Sequence, residues 1–66
     1  MLKNEPLKVV KGVFNNNEIV TDDGEIIPCV TYGIIYEKIK GKSGFFHLKK
    51  FGRIKDWTIF QYVLID

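Results

Sequence analysis

The sequence predicts an all-β domain, a small five-stranded antiparallel meander able to curl into an SH3-like or OB-like barrel. Three observations lead there. Alanine, the best intrinsic helix former, is absent. Nine isoleucines and nine aromatic residues crowd 66 positions, and such residues suit a pleated sheet. Short runs of them are separated by Asn-, Asp- and Gly-rich turns, the usual punctuation of β structure. A chain this short holds one domain and buries only about 60% of its unfolded surface.

A polar tail over residues 1–6 ends at Pro6, and residues 7–66 form the single domain. Leu7–Phe14 is the first expected strand, followed by an asparagine turn at residues 15–17. Glu18–Thr21 is the second strand, and Asp22–Glu25 carries a type I′ hairpin signal in its Asp-Gly pair. From Ile26 to Lys40 the chain reads as extended, with Pro28 near an edge and Gly33 at a bulge or bend. Gly41–Gly44 is the next expected turn and Phe45–Phe51 the next strand. Trp57–Ile65 closes the domain. Its apolar residues at 57, 60 and 64 also share helical spacing, with Asp56 as a cap, but its β-branched content favours a strand. Both sides of that strand are apolar, which a sheet with one wet face does not explain.

The expected hairpin around Gly41–Gly44 carries the functional clue. Alternation sorts its side chains into a core face of Ile35, Ile39, Phe46 and Leu48, with Glu37 as a misfit. The opposite face holds Tyr36, Lys38, Lys40, Phe45, His47 and Lys49. Lys42 in the turn and Arg53 and Lys55 beyond it extend this candidate binding face. Charge is divided accordingly. Residues 1–37 hold three lysines and six carboxylates, a net of −3, whereas residues 38–66 hold seven Lys or Arg and two carboxylates, a net of +5. Lysines among rings could meet phosphates and stack bases, or meet an acidic protein. Solvated lysines that protect a sheet edge would look the same. A whole-chain charge of +2 is modest for a nucleic-acid binder.

Tyr32, Ile34 and Trp57 form a candidate interface beside the basic face. The expected function is a non-catalytic protein-binding or regulatory module. The alternative is a DNA- or RNA-binding domain that uses Lys38–Lys55 for phosphates and exposed aromatics for bases. A homodimer is a candidate assembly.

Catalysis and cofactors are not expected. Gly41-Lys42-Ser43 lacks the upstream spacing of a phosphate-binding loop. Asp22, Asp23 and Glu25 lack calcium-loop spacing. His47 and Cys29 are each the sole residue of their kind, so neither a disulfide nor a thiol–imidazole metal site is expected. No run approaches the roughly 20 apolar residues of a membrane span, and the amino end has charges where a signal peptide needs an apolar core. A cytoplasmic setting is the corresponding expectation.

Overall fold

The computed structural model describes residues 7–31, 33–50 and 56–65. They form a small mixed α/β domain with five strands and one helix: β1 (Leu7–Asn15), β2 (Glu18–Thr21), β3 (Ile26–Val30), α1 (Gly33–Ile39), β4 (Ser43–Lys49) and β5 (Trp57–Leu64). The all-β expectation is corrected by α1, and the meander by the pairing. Strands neighbour one another in the order β1-β2-β3-β5-β4, and β4 pairs back onto β1 from Leu7↔Lys49 to Val13↔Ser43. All pairs are antiparallel except β3 with β5.

Local chemistry sets the first hairpin. Asn16 and Asn17 both have positive φ, 51° and 62°, the requirement of a two-residue type I′ turn. At residues 22–25 only Gly24 does so, at 93°, and the Gly24 N–H donates to the Thr21 carbonyl at 2.9 Å. The turn there is therefore not type I′. The Thr21 hydroxyl donates to Asp23 Oδ1 and accepts from the Glu25 N–H at 3.0 Å. The hydroxyl bond holds the Asp23 carboxyl below its ordinary 3.8.

The core follows strand alternation. Val10, Phe14, Ile19, Ile27, Cys29, Phe46, Leu48 and Ile59 point inward and are joined by Ile39 of the helix. Ile35, Tyr36 and Ile39 of α1 lie at i, i+1 and i+4, and all three pack on the core cluster. The Tyr36 ring meets Phe14 edge-on at 5.5 Å. Burial of this stripe overrides the β preference of Ile34, Ile35 and Tyr36. Gly41 ends the helix with φ 73°, as left-handed caps do, and its N–H donates to the Phe14 carbonyl at 2.8 Å. Gly33 thus starts a helix instead of marking a bulge, and Gly44 lies within β4 instead of in a turn.

The bulge occurs in β5, where Leu48 pairs with Ile59 but His47 pairs with Gln61. The extra residue, Phe60, reverses the alternation. Ile59 faces inward before it, while Tyr62 and Leu64 pack on the core after it. Trp57–Leu64 is a strand, and this phase change is why both of its sides read as apolar.

Candidate binding face

The structure separates the residues expected on one basic hairpin face. Tyr36 and Lys38 lie on α1, where Tyr36 packs on the core and Lys38 is exposed. Lys40 and Lys42 lie in the helix-to-β4 connection, with Lys40 ion-paired to Glu37 at 3.1 Å. The expected hairpin around Gly41–Gly44 is replaced by pairing of β4 with β1 and β5. Arg53, Lys55 and Tyr32 lie outside the described residues. Ile34 is 76% exposed on α1, and Trp57 is half-buried at the start of β5.

Phe45, His47 and Lys49 do share a face, because alternation within one strand is local. Register places outward-facing neighbours beside them: Lys11 and Val63 flank Phe45, Val9 and Gln61 flank His47, and Leu7 and Thr58 flank Lys49. The bulge adds Phe60, whose ring meets His47 edge-on at 6.0 Å. The Lys49 ammonium lies 4.8 Å from the centre of the Phe60 ring, and the Lys11 ammonium lies 6.0 Å from that of Phe45. Each such contact contributes about 0.5–1 kcal/mol at an exposed site. The outer surface of β1–β4–β5 is therefore a mosaic of lysine–ring pairs and aliphatic side chains. Leu7, Val9 and Val63 are 66%, 60% and 57% exposed.

At the start of β5, Trp57 lies beside two further lysines. The Lys50 and Lys8 ammoniums are 5.2 and 5.8 Å from its ring centre. Carboxylates border these cations: Lys11 pairs with Asp22 at 3.3 Å and Lys8 with Glu25 at 3.8 Å. Sequence reasoning missed Lys8, Lys11, Lys50 and Phe60 as participants. The strand β1 carried a usable signal, since Leu7, Val9 and Val13 alternate with the buried Val10 and Phe14 and leave both of its sides apolar. Phe60 gave none, because its orientation depends on the bulge.

Among the described residues, no group of three or more His, Cys, Asp or Glu side chains is placed to hold a metal. No described helix is long and apolar enough to cross a membrane. Val10, Lys11, Thr21, Asp22, Asp23 and Glu25 line a shallow depression at the acidic turn.

Cys29 is fully buried, with its thiol donating to the Ile27 carbonyl at 3.4 Å. Burial pushes the thiol from 9.0 up to about 12. In the unfolded chain it ionises first, so its effect on stability is flat below pH 9 and destabilising as pH rises from 9 towards 12. Urea unfolding at about pH 8 and about pH 10.5 should show this loss, and Cys29→Val should lessen it by removing the thiol. Equal pH dependence in the two proteins would contradict a buried neutral thiol.

No family model matches the chain, and neither the curated proteins nor the solved structures include a significant match.

Proposed function

We propose that this chain is an OB-like barrel acting as a non-catalytic binding module, whose β1–β4–β5 outer face docks a protein segment carrying carboxylates beside apolar side chains. The strand order, the return of β4 to β1, and a helix between β3 and β4 support an OB-like connectivity over an SH3-like one. OB folds commonly bind nucleic acid across strands 2 and 3. Here the exposed residues of β2 and β3 are Val20, Ile26, Pro28 and Val30, next to Asp22, Asp23 and Glu25. The exposed β2 and β3 side chains include neither aromatic rings nor cations, so the OB-like connectivity does not by itself assign nucleic acid to them.

The observation that carries the proposal is the mixture on the β1–β4–β5 face. Leu7, Val9 and Val63 are more than half exposed and gain nothing from phosphates, but they gain from burial against a protein. Phe45 and Phe60 are ring-sized anchors of the kind that dominate interfaces. Lys11 and Lys49 beside them speed encounter with an acidic surface and select for it.

Single-stranded DNA or RNA is the second reading, favoured by the 4.8 Å approach of Lys49 to the Phe60 ring. Selection of random peptides on the immobilised domain separates the two. Peptides enriched in Asp or Glu together with apolar residues are expected, with capture lost in Phe45→Ala/Phe60→Ala and kept in Val20→Ser. Recovery of peptides without acidic enrichment, or equal recovery by the double variant, would refute the proposal. Oligonucleotide binding that weakens steeply with salt, with no peptides selected, would move the assignment to nucleic acid.

A further inference from the structure

The seam between β3 and β5 is short, and it leaves most of β5 with a strand on one side only. β3 pairs with β5 at Cys29↔Trp57 and Val30↔Thr58, so beyond Thr58 no described strand lies there. On the other side, the Ile65 N–H donates to the Ser43 carbonyl at 3.0 Å, in the register that pairs Phe45 with Val63. Antiparallel geometry alternates the direction of backbone groups, so those of Tyr62 and Leu64 point away from β4.

The two edges of this seam differ in chemistry. The Cys29 N–H donates to the Asn17 carbonyl of the β2 side at 2.9 Å. The nitrogen of Pro28 therefore faces the seam, with no hydrogen to donate. Natural edges are blunted in this way, by proline or by charge. The β5 edge has neither, since residues 57–65 contain no charged residue and no proline. Val63 and Ile65 flank it at 57% and 50% exposure.

We infer that β5 pairs with β5 of a second copy of this chain, antiparallel about a two-fold axis at Val63. In this register Tyr62 faces Leu64 of the second copy, and their backbone groups exchange roughly four hydrogen bonds. Val63 meets its own equivalent. An uncharged strand meets itself without charge repulsion across the axis. The pairing extends the sheet as β1-β4-β5-β5-β4-β1. It shares Val63 with the docking face but does not rest on what that face binds.

Sedimentation equilibrium of the intact chain from about 1 μM to about 1 mM should show a monomer–dimer equilibrium. Val63→Lys, which sets like charges across the axis, should weaken it about tenfold or more with an unchanged circular dichroism spectrum, as should Val63→Glu. An equimolar mixture of the two variants should restore association, and Val20→Lys should leave it intact. In the unmodified chain, the Tyr62 and Leu64 amides should exchange more slowly with solvent as protein concentration rises. A monomer throughout the range, Val63→Lys associating as tightly as the unmodified chain, or amide exchange independent of concentration would each overturn the pairing. So would a mixture no tighter than either variant alone.

Discussion

Replacing Gly44 with alanine is expected to destabilise the domain by about 3 kcal/mol, the upper end of the usual overpacking cost. A Cβ at Gly44 would lie 2.3 Å from the Val63 carbonyl oxygen, and one at Gly12 would lie 2.3 Å from the Val20 carbonyl oxygen. In both cases the obstacle is the backbone of a hydrogen-bonded neighbour, which cannot swing aside as a side chain could. The two glycines are also register partners across β1 and β4. Their missing side chains let β1 approach β2, and β4 approach β5, where the strand order turns back on itself. A 66-residue chain has a total stability of about 3–10 kcal/mol, so Gly12→Ala/Gly44→Ala should be largely unfolded. Gly33 is the control: a Cβ there meets nothing within 4 Å, and alanine is well tolerated at this first position of the helix. Urea denaturation of the four proteins measures this, and a Gly44→Ala midpoint equal to that of Gly33→Ala would contradict the close approach.

A comparable loss is expected at Phe46, whose side chain has no exposed surface and whose ring lies 6.5 Å from that of Phe14. Phe46→Ala should cost about 3–5 kcal/mol through lost burial and the cavity left behind. Phe45, one position earlier, is 42% exposed, and Phe45→Ala should change stability by about 1 kcal/mol or less. The contrast reads the orientation of β4 directly. Similar losses at the two positions would mean that β4 does not present Phe45 to solvent, and the proposed binding face would lose that ring.

Much of the strand content was legible because it is written locally. β-branched and aromatic runs mark β1, β2, the start of β3, β4 and β5, and the asparagines and Asp22–Glu25 mark the turns between the first three. The helix was not legible, because Ile34, Ile35 and Tyr36 prefer extended backbone locally. Only the burial of Ile35, Tyr36 and Ile39 against distant strands makes the helix favourable. Its one local signature, Lys38 and Lys40 followed by Gly41, fits a helix end but also fits a hairpin turn. That ambiguity put Tyr36, Lys38 and Lys40 on a face they do not share with Phe45.

The candidate face divides along the same line. Phe45, His47 and Lys49 were recoverable, since alternation along one strand needs no knowledge of its neighbours. Lys11, Leu7 and Val9 join them only because β1 pairs with β4, a contact between segments far apart in sequence. Phe60 joins them only because the bulge turns it outward. Non-local pairing and a single extra residue lie beyond what periodicity reveals.

Docking of an acidic–apolar partner on the β1–β4–β5 face is the proposed role of the domain. Amide chemical-shift mapping of the domain, titrated with an acidic–apolar peptide recovered by selection, tests it most directly. The largest changes are expected at Val9, Lys11, Phe45, His47, Phe60 and Val63. Changes centred instead on Gly33–Ile39, or on Val20, Ile26 and Val30, would contradict it.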